Sequence, residues 1–228
     1  MRTNKNTGAL RSSLLVSLAL IATASLPALA ESKPDGPNKR LLDPKTEQPG
    51  LKIGEHAPTL TLKDATGKTV NLAAVYKEHA PVVVTFYRGG WCPFCSKSLM
   101  NWGDRMDDLK SAGGTFVAIS PETPQHALET AAKSKGDWVT LVDADGAAMR
   151  AFKLGFELDP STKTKYQGYG IDLEKWNVNG KWELPAPATY IIDANGVVQW
   201  VFSDWNYKKR ANPDDVIAAV RKLTDSDD

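Results

Sequence analysis

The chain has 228 residues, 28 Lys and Arg against 27 Asp and Glu, and a hydrophobic fraction of 42%. That balance supports a packed core and lacks the basic excess that nucleic-acid binding requires, so no nucleic-acid partner is expected. The two cysteines have no second Cys pair to complete the four ligands of a structural zinc site, the three histidines (His56, His79, His126) are scattered without ligand spacing, and no metal or organic cofactor is implied.

Residues 1–30 differ from the rest. Arg2, Lys5 and Arg11 form a basic front, an apolar run extends from Leu14 to Leu26, and Ala28-Leu29-Ala30 supplies small residues for cleavage. This is the three-part pattern of a secretory signal. The run is shorter than the ~20 residues a spanning helix needs, so no stable membrane insertion is expected once it is removed. Removal takes three basic residues and no acidic ones, leaving 25 Lys and Arg against 27 Asp and Glu, net −2. The expected location is the periplasm, or the outside of the cell. Residues 31–50, rich in Pro, Lys, Asp and Gly, read as a flexible leader. Residues 51–228 have the length of one domain.

Within that domain, Thr59–Leu62 and Thr69–Leu72 alternate around Asp64-Ala65-Thr66-Gly67, which predicts a hairpin. Pro81–Tyr87 is apolar on both faces and predicts a central buried strand. From Pro93 the spacing of Leu99, Trp102, Met106 and Leu109 predicts one helix to Ser111, stopped by Gly113-Gly114. A strand at 115–119, a helix after Pro124, a strand at 138–142 and a short helix at 146–152 follow. Residues 153–183 read as a polar, aromatic insertion. Asn195-Gly196 between two β-branched runs predicts a hairpin, and Pro213 opens a last helix. Strands alternating with helices imply an α/β fold with a mixed central sheet covered by helices on both faces.

The central strand leads through Arg88-Gly89-Gly90-Trp91 into Cys92-Pro93-Phe94-Cys95, at the start of the helix. Proline is favoured at the first helical position, so Pro93 places Cys92 at the N-cap and Cys95 at the third helical residue. Both sulfurs then lie at the positive helix end, where thiolates are stabilised. A bridge closing so short a loop removes little chain entropy, so the pair suits redox exchange better than stapling.

The stretch from Leu51 to Leu223 resembles the thioredoxin fold, and more narrowly the peroxiredoxin-like branch of the alkyl hydroperoxide reductase/thiol-specific antioxidant family. The resemblance is carried by Gly54-Glu55-His56-Ala57-Pro58, the first hairpin, Tyr87–Cys95 and Pro187–Asp193. It implies that Cys95 stands at the peroxide-attacking position and Cys92 at that of a Thr or Ser. Arg88 replaces a proline of the pattern, and Pro187 replaces an arginine that helps to activate peroxide. Arg88 and Arg210 are the candidate substitutes for that arginine. Thioredoxins hold a cis-proline at the point of Pro187, so Ala186–Pro187 is a candidate cis bond. Trp91 is a candidate shield or docking residue.

Three functions follow. The first is an exported thiol-based antioxidant that reduces peroxides through Cys95 and Cys92 and is restored by a dithiol donor protein. The second is thiol–disulfide exchange on protein disulfides, with Cys92 attacking. The third is a redox-sensing module that binds a partner through 153–183. A homodimer is compatible with all three.

Overall fold

The computed structural model describes residues 48–225. The secretory signal and most of the leader lie outside them. The leader's last residues are not free, however. Pro49 and Gly50 are buried, Ser203 Oγ donates to the Pro49 carbonyl, and Gly50 N donates to Lys153 O at 3.0 Å. Gly50 has φ +90°, and a Cβ there would lie 2.1 Å from the Tyr190 hydroxyl. The folded domain therefore extends at least to residue 48 rather than beginning at 51.

The first hairpin pairs β1 (Thr61–Asp64) with β2 (Thr69–Asn71). A helix absent from the sequence reading follows at once, α1 (Leu72–His79). Asn71 caps it by accepting from Ala73 N and Ala74 N, and Leu72 and Tyr76, four apart, go into the core. Next come β3 (Val82–Phe86), α2 (Pro93–Gly103), α3 (Met106–Ser111) and β4 (Thr115–Ser120). The single helix expected from Pro93 to Ser111 is thus two. A Cβ on Gly103 would lie 1.9 Å from the Ser134 carbonyl oxygen, so this glycine admits a neighbouring backbone where α2 ends.

The chain continues through α4 (Pro124–Lys133), β5 (Val139–Val142) and α5 (Ala147–Ala151). The supposed insertion holds β6 (Gly155–Glu157), α6 (Pro160–Gly168), α7 (Leu173–Trp176) and β7 (Glu183–Pro185). β8 (Ala188–Ile192), β9 (Val198–Ser203) and α8 (Pro213–Thr224) complete it.

The main sheet has seven strands in the order β2-β1-β5-β4-β3-β8-β9, with β3, β4 and β5 parallel and the other pairs antiparallel. It is the mixed, helix-covered sheet expected. Period-two alternation divides β3 between two cores. Val82, Val84 and Phe86 join Leu72, Tyr76, Phe152 and Tyr190, whereas Val83 joins Leu99, Trp102, Val216 and Val220 under α2 and α8. A third cluster, Leu158, Leu173, Trp182 and Leu184, packs the 153–183 segment on itself. Trp182 is only 7% exposed and belongs to this satellite core, whereas Tyr169 of the same segment is 68% exposed.

Among the described residues no helix is long and apolar enough to cross a membrane, and no group of His, Cys, Asp and Glu could hold a metal ion.

Candidate active site

β3 lies inside the sheet between parallel β4 and antiparallel β8, and the chain leaves its end in a tight turn to α2. Gly89 takes φ +142°, and a Cβ there would lie 2.4 Å from Trp91 Nε1. Only glycine fits both conditions. Gly90 is held from below: its N–H donates to Glu122 Oε1 at 2.7 Å, and its carbonyl accepts from Ser96 Oγ at 2.9 Å. Glu122 is fully buried, also accepts from Thr130 Oγ1 at 3.3 Å, and meets the Tyr87 hydroxyl. Burial pushes its carboxyl above the usual range.

Cys92 is the N-cap and Pro93 the first residue of α2, as the sequence required, and Cys95 N and Ser96 N both donate to Cys92 O at 3.0 Å. Both cysteines are free and buried. Their sulfurs hydrogen-bond to one another. Arg210 Nη2 donates to Cys95 Sγ at 2.8 Å, and Arg88 N lies 3.4 Å from the same sulfur. Arg210 is itself fixed, with Nη1 donating to Tyr207 O at 2.6 Å and Lys209 O at 2.7 Å.

The two sulfurs titrate as a pair. The hydrogen bond from Cys95 draws the Cys92 thiol down to about 5, with the Arg88 and Arg210 charges adding to the effect. Burial holds the Cys95 thiol well above its ordinary value. Burial by itself therefore leaves the charge on Cys92, while the donors converge on Cys95 and pull it there. The direction that holds for the pair is a first proton lost unusually easily and a second kept unusually long. One negative charge and one proton are shared across the sulfur–sulfur hydrogen bond. Cys92 is the sulfur these effects leave ionised, while Arg210 is the charged donor placed to draw negative charge to Cys95.

Residues 53–201 match the model of the AhpC/TSA family. The chain belongs to that family. It is similar to peroxiredoxin Q of Oryza sativa subsp. japonica, chloroplastic, with 31% identity over 153 residues, 66% of this chain and 58% of the relative. The chain thus spans less than two thirds of that relative's length. It is also similar to peroxiredoxin Bcp of Escherichia coli (strain K12), with 29% identity over 167 residues, 73% of this chain and 93% of the relative. Among solved structures, peroxidoxin BcpB of Mycobacterium tuberculosis superposes with a TM-score of 0.60 at 23% identity, covering 76% of this chain and 98% of that one. Reduced Prx3 of Vibrio vulnificus, solved in complex with H2O2, gives 0.59 at 20% identity, covering 75% and 99%. At such identities the structures establish a shared thioredoxin-type fold.

Against the AhpC/TSA pattern, the expected residues divide. Arg210, not Arg88, supplies the guanidinium at Cys95. It arrives from the loop after β9, far in sequence from the strand that begins at Ala188. The Arg88 side chain turns away to donate to the Tyr166 hydroxyl at 2.8 Å, and only its backbone faces the sulfur. Pro187 is buried, and the Phe86–Ala188 register sets it at the same sheet end as the cysteine turn. Its peptide bond is not cis. Among the described residues the cis bond is Ala80–Pro81. The chain at Pro187 makes no turn that would call for one: Ala186 N donates to Leu154 O and Asp204 N to Pro187 O, at 2.8 and 3.2 Å, as it passes from β7 into β8. Trp91 is half-buried and meets Tyr166 edge-on with ring centroids 5.6 Å apart, so it packs between the sulfurs' cluster and the satellite core.

Sequence reasoning missed Glu122, Tyr166 and Tyr207. Their contacts with the turn span more than 30 residues of chain, and no local spacing marks them.

A pH profile follows from the shared proton. A thiol whose acidity is raised reacts as thiolate above its depressed pKa and loses reactivity as pH falls through it. With iodoacetamide as the probe, the rate constant for alkylation of Cys92 in the reduced protein is expected to stay level from pH 8 toward pH 6 and to fall through about 5. Timed alkylation read by mass spectrometry against pH measures this. A rate still rising between pH 7 and 9 would mean an ordinary thiol.

Proposed function

We propose that the protein is an exported thiol peroxidase in which Cys95 attacks the peroxide and Cys92 resolves the product. The observation that carries this is the Arg210 guanidinium 2.8 Å from Cys95 Sγ. It stabilises the thiolate and presents a charged donor where a peroxide oxygen must gain negative charge. The Cys95 thiolate attacks one peroxide oxygen, the O–O bond breaks, and the other oxygen leaves with a proton as water or alcohol. Cys95 is now a sulfenic acid. Cys92 thiolate attacks that sulfur, the S–O bond breaks, and hydroxide takes a proton to leave as water. An external dithiol protein then reduces the disulfide by exchange. Helix geometry favours the middle step, because the N-cap and third-residue cysteines lie within one turn at the same helix end.

The peroxidase reading is preferred to thiol–disulfide exchange because the family match and the named relatives are peroxiredoxins. Export is supported by the basic, apolar and small-residue pattern of residues 1–30. N-terminal sequencing of protein from the periplasmic fraction should start at Glu31.

The chemistry is tested by single cysteine variants. Cys92→Ser is expected to consume one equivalent of hydrogen peroxide and to yield a dimedone adduct on Cys95. Cys95→Ser is expected to consume none at a comparable rate. An adduct found on Cys92 instead, with Cys95→Ser still reactive, would reverse the assignment.

A further inference from the structure

Arg88 is an unusual residue. It is 3% exposed, and among the described residues it forms no ion pair. Its guanidinium carbon lies 4.9 Å from the Trp91 ring centroid, 4.6 Å from that of Tyr207 and 5.7 Å from that of Tyr166. Nη2 donates to the Tyr166 hydroxyl, and Nε is buried without a partner. Aromatic faces and one hydroxyl offset only part of the cost of burying a cation that no anion compensates. A protein that keeps such a charge needs an anion at some stage of its work.

The peroxidase cycle supplies one. While both thiols are reduced, the thiol of Cys95 hydrogen-bonds to Cys92 and eases its ionisation. Once Cys95 is a sulfenic acid, its sulfur no longer bears a proton, its O–H lies one atom further out, and the Cys95 side is the one Arg210 faces. Cys92 must then ionise with what remains beside it. The remaining buried cation is the caged guanidinium, packed on the ring of the adjacent Trp91. In the reduced pair Arg88 already contributes more than Arg210 to the acidity of Cys92.

We propose that the two arginines divide the two sulfurs: Arg210 serves the attack of Cys95 on peroxide, and Arg88, caged by Trp91, Tyr166 and Tyr207, stabilises Cys92 as the thiolate that closes the disulfide. Arg88 is thus an electrostatic partner of the resolving step, held in place by α6 through Tyr166. The satellite segment 153–183 acquires a purpose in this scheme, since it contributes the hydroxyl that orients the guanidinium. The inference rests on the peroxidase reading above.

The test separates the steps in the full folded protein with hydrogen peroxide as the probe. Reduced Arg88→Met is mixed with one equivalent of peroxide, and the Cys95 sulfenic acid is followed by timed dimedone trapping and mass spectrometry. Sulfenic acid lasting about tenfold longer than in the wild type is expected, as the thiolate fraction of Cys92 falls. Arg88→Lys keeps the charge and is expected to restore most of the closing rate, an outcome that loss of packing alone would not give. Disulfide closure at the wild-type rate in Arg88→Met, with sulfenic acid formed, would overturn the proposal and leave the peroxidase reading standing. Absence of Cys95 sulfenic acid in Cys92→Ser would overturn both.

Discussion

Replacing Arg210 by methionine is expected to slow peroxide consumption by about 10²–10³-fold, the usual cost of removing a preorganised donor from a developing oxyanion. Two effects act in the same direction. The guanidinium donates to Cys95 Sγ at 2.8 Å, so its loss weakens a thiolate at the sulfur proposed to attack. On the proposed mechanism the same group is also a charged donor beside Cys95 for the oxygen that receives electrons when the O–O bond breaks. Its rigidity matters as much as its charge, because two backbone carbonyls, Tyr207 O and Lys209 O, hold Nη1 in place. Lysine lacks that planar fork and is expected to recover only a small part of the rate. Methionine fills similar volume, so the fold should survive, and an unchanged melting temperature would confirm that the loss is chemical. A second-order rate constant within threefold of the wild type would show that Arg210 is a bystander.

The second large effect is on stability. Trp102 is 1% exposed on the inner face of α2, with its ring 4.7 Å from Phe116, which in turn meets Trp138 at 5.1 Å. Trp102→Ala is expected to cost about 3–5 kcal/mol, the range for deleting a large buried aromatic. For a domain of this size that lowers the melting temperature by roughly 10 °C or more. The damage should reach the chemistry. Cys95, Leu99 and Trp102 lie four and three residues apart and share one helix face, so a collapse beneath the last turn tilts the first. Met100→Ala, 52% exposed on the same helix, is the control and is expected to stay within about 0.5 kcal/mol of the wild type. Urea denaturation of the reduced proteins measures both. Equal costs for the two substitutions would mean that α2 is not anchored through this face.

How far the sequence carried the reading depends on the range of each signal. The Asn195-Gly196 hairpin, the buried run before the turn and the Pro93 helix start are local, and each is found where it was expected, with Gly196 at φ +77°. α1 was overlooked although Asn71 ahead of Leu-Ala-Ala-Val-Tyr is a capping signal, because the alternating hairpin before it suggested that the strand continued through Leu72. The split between α2 and α3 was not legible, since it answers to the Ser134 carbonyl, about thirty positions further on. The 153–183 segment looked polar because its few apolar residues are spaced irregularly, yet Leu158, Leu173, Trp182 and Leu184 find one another in space.

The chain alone determined the reactive element: a β-branched strand, two glycines, and a proline that starts a helix between two cysteines. Those are short-range facts of backbone geometry, and they oblige the sulfurs to meet at a helix end whatever surrounds them. Only the folded structure decided how the charges are shared there. Arg88 was the nearer candidate in sequence, but its side chain follows the aromatic rings into a cage. Arg210, more than a hundred residues later, is brought to Cys95 by the loop after β9. Electrostatic partnership depends on distance through space in a poorly screening interior, and sequence order carries little information about that distance.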